Sequence, residues 1–403
     1  MSIENYEDDL VLITAPMLSF SGAGWLHMYE FGCAKALLDL GLFPCITLAS
    51  KATDSSSSRS GVIEQYFLQP ERQIHCAGAS GGALVSAAML LGCDLDEIKE
   101  FALGICSRSR AKRPFSAIHW KKFIDEGFVR FGVEVMERDL ERHCRVLSDR
   151  LHVFVTTVAG WHPRVVRSFN RSEDLHEALR ASSLLPPFAG LPFTLSGGER
   201  RLVLDGGLSA FQPYSQTSTL MPQWMANIVS STKPNTEARV EEWATREIAV
   251  GGQCAVPREE PLRRFAAVGP VIRISPFAFP IAEISPSIPI PALSWTVMPP
   301  PEKAYGRLFD LGYQDTLTYF LDHPGALFCD LNADDEKVPA STTGAALQQR
   351  VSMELKEKAA RLLEKTMKST GAVTQADLVG DWQRRFGKVL PQSIVDKAVW
   401  WLS

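Results

Sequence analysis

Apolar residues in the first ninety positions fall into two matching units. Val11 to Phe20 form an apolar run, broken into the small-residue turn "SGAG". A longer apolar stretch near Leu26–Leu40 follows at helical spacing, with Gly41 as its stop. A second run ends near Ala77 and passes through "GASGG" into an Ala/Leu-rich segment from about Gly82 to Leu91. Strands alternating with helices predict a mostly parallel sheet covered on both faces. Residues 94 to 150 are charged and helical in pattern. "LHVFVTTVAG" (151–160) and "RVVRSFN" (164–170), joined across "WHP", read as paired strands. "SEDLHEALRASS" (172–183) reads as a helix capped by Ser172, and "RRLVLDGGLSAF" (200–211) as a strand and tight turn.

The pattern weakens beyond that point. Residues 233–262 are charged and loop-like, and "TDSSSSRSG" (53–61) reads as a polar surface insertion. Residues 276–301 mix Ile, Phe, Leu and Trp with Pro276, Pro280, Pro286, Pro289, Pro291 and the run 299–301, which forbids a regular helix. Helical spacing returns in "YGRLFDLGYQDTLTYFL" (305–321), and 345–368 is the clearest amphipathic stretch. No internal repeat is evident.

Composition changes this picture little. The chain has 403 residues, 45% hydrophobic and 22% charged, with a formal net charge of −4. That balance speaks against a nucleic-acid partner, which wants an excess of Lys and Arg. Residues 76–93 carry no charge over a length close to a membrane span, but their Gly, Ala and Ser content fits a strand end, turn and core helix better. The eight cysteines show no C-x-x-C pair, and the start "MSIENYEDDL" lacks the basic and apolar regions of a leader. Reduced thiols in a cytoplasmic protein are therefore expected. The neighbours His75/Cys76 and His143/Cys144 lack the further ligands zinc requires, so neither a metal nor another cofactor is expected.

Gly78-Ala79-Ser80-Gly81-Gly82 fits G-x-S-x-G, the turn that lifts a nucleophilic serine between strand and helix. Gly78 and Gly82 let strand and helix pass closely, and the new helix points its positive end at Ser80. A serine nucleophile needs a base. Among the histidines only His323 follows Asp205, at an expected helix end suited to capping carbonyls. Asp205 in "LDGGLS" is the other candidate: desolvation can raise a carboxylate far enough to accept the serine proton. An Asp-Gly between apolar runs is also an ordinary hairpin turn.

The first turn resembles a dinucleotide loop only in part. G-x-G-x-x-G would need a glycine where His27 stands, and the acidic residue about twenty positions on is absent from "LFPCITLASKA". A small-residue turn remains, whose Gly22, Ala23 and Gly24 N–H groups are free to converge as an oxyanion hole.

Three blocks, "SFSGAGWLHMYEFGCAKAL" (19–37), "GASGGAL" (78–84) and "LDGGLSAFQP" (204–213), resemble in order and spacing those of patatin-like phospholipases. "ALRASSLLPPFAG" (178–190) is similar to the stretch before that family's aspartate. "VIRISPF" (271–277) and "MPPPEKAYGRLFDLGYQDTLTYFL" (298–321) resemble its adipose triglyceride lipase branch. The resemblance runs from about 10 to 322. It implies a three-layer α/β/α sandwich with a mostly parallel central sheet, holding a core at 10–215 and the Pro-rich apolar segment 276–301. A helical C-terminal extension of unplaced role occupies 330–403.

The resemblance further implies a Ser80–Asp205 dyad, no cofactor, and Gly22, Ala23 and Gly24 as oxyanion donors. The expected activity is hydrolysis of lipid acyl esters, foremost triacylglycerol. Phospholipase A, lysophospholipase, glyceride acyltransferase and a catalytically weak lipid-droplet or membrane scaffold stay open. His27, in place of the family's last loop glycine, is the departure that keeps the scaffold open. The expected partner is glycerolipid at a lipid-droplet or membrane surface, with room for a protein co-activator. The expected location is cytoplasmic and peripheral to such surfaces. The segment 276–301, "SRSRAKR" (107–113) and the terminal Trp400–Trp401 are candidate lipid contacts.

Overall fold

A computed structural model describes residues 10–13, 15–44, 61–111, 120–158, 161, 163–186, 193–195, 202–214, 245–250, 264–267, 269–277, 282–328 and 342–369. Residues 53–60, Lys112, Arg113, Phe279, Ile281 and the Trp400–Trp401 pair lie outside the described residues.

Two strands, β1 (Leu10–Ile13) and β2 (Met17–Phe20), precede a short 3-10 turn (Gly24–Leu26) and helix α1 (His27–Asp39). Next come α2 (Val62–Phe67), β3 (His75–Ala79) and α3 (Gly81–Leu91). A helical stretch holds α4 (Leu95–Ala111), α5 (Trp120–Phe128), a π turn (Val129–Val133), α6 (Glu134–Arg138) and α7 (Leu140–Arg150). It leads to β4 (Leu151–Thr157), β5 (Pro163–Phe169), α8 (Ser172–Ser182), β6 (Phe193–Thr194) and β7 (Leu202–Asp205). The last elements are β8 (Thr245–Val250), β9 (Arg264–Ala267), β10 (Val271–Ile274), α9 (Ala292–Val297), α10 (Glu302–Asp322) and α11 (Thr342–Ser369).

The strands form one mixed sheet in the order β1-β9-β8-β5-β4-β3-β2-β10, with β7 also on β4 and β6 on β7. The consecutive pairs β10–β2, β2–β3 and β3–β4 are all parallel. Helices flank the sheet, α3 lying against β3 and β4, and α7 and α8 against β5. This is the expected α/β class. Every residue of β2 and β4 is buried, as strands covered on both faces must be.

Four expectations need correction. The run 11–20 is two strands rather than one, because Pro16 has no N–H to give a ladder; β1 pairs with β9, while β2 pairs with β3 and β10. The helix at 172 is capped by Arg171 rather than Ser172. Its Asp174 carboxylate accepts the Asn170 and Arg171 N–H groups, each at 3.0 Å. Within 233–262, residues 245–250 are a strand, paired with β5 and β9; ladder partners distant in sequence supply what the local pattern does not. The Pro-rich segment holds one short helix, α9, fitted between Pro291 and Pro299.

Helix α1 is buried on nearly every side because α10 packs along it. The amphipathic stretch 345–368 is also docked rather than free. Val351, Leu355 and Ala359 are fully buried on one stripe of α11, which packs against α10 and α2. Among the described residues no helix is long and apolar enough to cross a membrane.

Candidate active site

The register of β4 brings the two ends of the candidate dyad together. β3 runs beside β4 until Ala79 faces Phe154. On the same edge β7 then takes over, antiparallel, with Asp205 facing Val155. The chain leaves the sheet at Ser80 where Asp205 arrives, although 125 positions separate them. The Ser80 hydroxyl donates to Asp205 Oδ2 at 2.7 Å.

Ser80 itself is strained. It sits at φ 52° and ψ −121°, a region that side chains avoid, between the last strand residue and the first helical one. The turn is this tight because its flanks are bare. A Cβ on Gly78 would lie 2.3 Å from the Gly82 carbonyl oxygen. The Ser80 amide donates to Ser182 Oγ at 2.8 Å, and Ser182 donates onward to the Phe154 carbonyl at 2.6 Å. Ser182 thus ties the elbow to β4 from α8.

Asp205 is nearly buried, and desolvation raises its pKa to about 7, against the opposing hydrogen bonds from Ser80 and the Gly207 amide. The Gly207 N–H reaches Oδ1 at 2.8 Å, while Thr156 Oγ1 donates to the Asp205 carbonyl at 2.6 Å. A carboxylate with that pKa, in contact with a strained serine hydroxyl, is fitted to take its proton near neutrality.

The glycine loop lies against both. Gly22 approaches Gly207, since a Cβ on Gly22 would stand 3.2 Å from the Gly207 Cα. A Cβ on Gly81, next to Ser80, would stand 3.3 Å from the Ala23 Cβ and 2.9 Å from the His27 Cβ. Of the three amides expected to converge, the Gly22 N–H is already committed: it donates to the Phe211 carbonyl at 2.8 Å. Of the expected trio, Ala23 and Gly24 are the amides left without an acceptor among the described residues.

Glu30 anchors the loop from below, its Oε1 accepting both the amide and hydroxyl of Ser21 at 3.0 Å. Burial raises the Glu30 pKa well above the ordinary carboxylate range. Glu30, Ser182 and Thr156 are site residues that no sequence motif singles out. Glu30 had a signal, a lone acid inside an apolar helix; Ser182 and Thr156 had none, because their partners lie in distant elements. His323 caps the end of α10, its ring stacked on Tyr319, and belongs to no part of the site.

Beside the site an apolar cavity of about 120 Å³ opens between α1, α3, α4 and the α5–π turn. Leu84, Ile98, Phe101, Phe131 and Leu179 are among its walls, and its lining is aliphatic and aromatic apart from His27, Cys93, the Tyr305 hydroxyl, Gly127 and Gly132. No group of His, Cys, Asp and Glu suited to a metal occurs among the described residues.

Residues 60–217 match the family described as patatin-like phospholipase. That stretch contains Ser80 and Asp205 but begins after the glycine loop. The chain is similar to the omega-hydroxyceramide transacylase of Mus musculus, 27% identical over 50% of this chain and 28% of that protein. It is 26% identical to the human patatin-like phospholipase domain-containing protein 2, over 51% of this chain and 37% of the relative. With the human patatin-like phospholipase domain-containing protein 4 it shares 28% identity, over 51% and 70% respectively. The match thus spans about a third of the length of the first two relatives and more of the third.

Proposed function

We propose, from the premise that the chain carries a patatin-like phospholipase domain, that it hydrolyses acyl esters of neutral glycerolipid, foremost triacylglycerol, with Ser80 as nucleophile and Asp205 as general base. One observation carries this reading: the 2.7 Å hydrogen bond from the Ser80 hydroxyl, on its strained turn, to a buried Asp205 with a raised pKa.

In the reaction, Ser80 Oγ attacks the ester carbonyl carbon while its proton passes to Asp205 Oδ2. The carbonyl oxygen takes up the negative charge and is held by the Ala23 and Gly24 amides, aided by the N-terminus of α3. Collapse breaks the bond to the alcohol oxygen, which leaves with the proton from Asp205. Water then attacks the acyl-enzyme, gives its proton to Asp205, and the second tetrahedral species releases fatty acid. The proton returns to Ser80 Oγ. The acyl chain has a place to lie in the apolar cavity, whose lining offers hydrocarbon contacts and no charge.

The chain meets its substrate at a surface. Helix α9 packs on the Gly24–Leu26 turn with Trp295 buried beneath it, and its end exposes Val297 and Met298 next to the loop. Those two side chains are suited to enter a lipid layer while Trp295 holds the segment down. Phe277 is buried, and Ile288 and Ile290 are packed against the core, so most of the described Pro-rich segment is cover for the core rather than free apolar surface.

Acyl transfer is a second reading, favoured by the similarity to a transacylase; an alcohol then takes the place of water in the second half-reaction. The test is fatty-acid release from a trioleoylglycerol emulsion and, in parallel, from phosphatidylcholine vesicles, with Ser80→Ala beside the parent. Release from the emulsion that falls to background in the variant is expected. Release from vesicles alone moves the substrate to phospholipid. Product that appears as new ester when monoacylglycerol is supplied identifies transfer. No Ser80-dependent release from either lipid contradicts the reading.

A further inference from the structure

His27 occupies the position where the dinucleotide pattern wants a third glycine, and its side chain does something no glycine can. The His27 Nδ1 lies 2.5 Å from the Gly24 carbonyl oxygen, and the His27 backbone N–H points to the same oxygen. On its other edge, Nε2 lies 3.2 Å from the Tyr305 hydroxyl. Tyr305 is fully buried, on the first turn of α10, 278 positions away. A carbonyl oxygen only accepts, so Nδ1 carries the ring proton. Nε2 is then bare in the neutral ring and accepts from the tyrosine hydroxyl. The surroundings favour that neutral form: desolvation lowers the His27 pKa to about 4.

The held carbonyl belongs to a residue of unusual conformation. Gly24 lies at φ +53°, and a Cβ there would come 2.2 Å from the Thr296 carbonyl oxygen of α9. Gly24 therefore has no side chain of its own with which to fix its orientation. The two donors of His27 fix it instead. The Gly24 amide is one of the two that stand free beside Ser80, and the His27 Cβ also packs on Gly81, the residue after Ser80. His27 thus touches both turns of the site at once.

We propose that the hydrogen-bond chain Tyr305–His27–Gly24 pins the Gly24–Trp25 peptide by its carbonyl and so, through the Gly24 backbone dihedrals, holds the Gly24 N–H toward the oxyanion; His27 is then a positioning residue of the oxyanion loop and Tyr305 fixes its tautomer. This rests on the reading of Ser80 and Asp205 given above. It also turns the departure at position 27 into a part of the machinery rather than a mark of its loss. The loop of this chain is held from α10, where a glycine at position 27 would leave the Gly24 carbonyl with only a backbone donor.

The experiment measures hydrolysis of p-nitrophenyl butyrate by the full chain, with active sites counted by a fluorophosphonate that labels Ser80. The variants are His27→Ala, His27→Asn, Tyr305→Phe and Ser80→Ala. Expected for His27→Ala is a fall in kcat per titrated site of about 10- to 100-fold with KM little changed, since the lost interaction acts on the transition state. His27→Asn, whose side-chain amide can replace the Nδ1 donor, is expected to recover most of that loss. Tyr305→Phe is expected to lose a few-fold. In the parent protein, 15N spectra of the imidazole are expected to show Nδ1 protonated and Nε2 bare.

An unchanged kcat per site in His27→Ala overturns the proposal. So does His27→Asn performing no better than alanine, or an Nε2-protonated ring. A parent protein without Ser80-dependent turnover removes the hydrolase reading and this inference together, a result distinguishable from the failure of His27 alone.

Discussion

Strands β2 and β3 lie side by side in parallel register, and each ends in a tight turn that opens a buried helix. The turns are built differently. The elbow at Ser80 is fixed largely from within: bare glycines at 78 and 82, a strained residue between them, and the helix it starts. The loop at 21–24 is fixed from outside. Phe211 takes the Gly22 amide, Glu30 holds Ser21, Thr296 crowds Gly24 and His27 is braced on Tyr305. One turn is written in five consecutive residues, while the other depends on contacts that arrive from up to 278 positions away.

That difference leads to unequal responses to the same substitution. Gly78→Ala is expected to have the largest effect, because its Cβ would meet the backbone of Gly82 with nothing able to yield. Loss of soluble folded protein, or a steep fall in Tm, is the expected outcome in a thermal melt. Gly24→Ala meets backbone as well, but that of the short surface helix α9, which can shift. It is expected to keep most of the Tm while kcat drops by about 10²–10³, as for removal of one oxyanion donor. Equal losses of Tm in the two variants would erase the distinction between the turns.

Ser182→Ala is expected to have the smallest effect. It removes the acceptor for the Ser80 amide and the donor to Phe154, leaving two buried groups unpaired. A loss of about 1–3 kcal/mol in stability is expected from denaturant melts, with kcat lowered roughly tenfold as the elbow loosens.

The same contrast explains what could be read from the chain. The elbow and Asp205 were legible because G-x-S-x-G and D-G-G carry their geometry in adjacent residues, and the alternation of strand and helix around them gave the α/β class. The split of the first strand at Pro16 followed from a rule about proline, yet the apolar run hid it. The commitment of the Gly22 amide to Phe211 was beyond local reading, since it depends on how the loop after Asp205 folds back. So were β8, defined by its pairing partners, and the docking of α11, whose amphipathic pattern alone left open what its apolar stripe would meet.

If Asp205 takes the Ser80 proton, the pH dependence of Ser80 reactivity must follow the ionisation of that carboxylate. Burial places the Asp205 pKa at about 7, so the carboxylate is ionised above that value and protonated below it. The second-order rate of Ser80 phosphonylation by a fluorophosphonate, followed by intact mass from pH 5 to 9, is expected to rise about tenfold per unit below that pKa and to level off above it. Asp205→Asn is expected to be slower by about 10²–10⁴ and to lose that titration. A rate that follows the same curve with asparagine at 205, or an adduct that forms elsewhere than Ser80, would contradict the account.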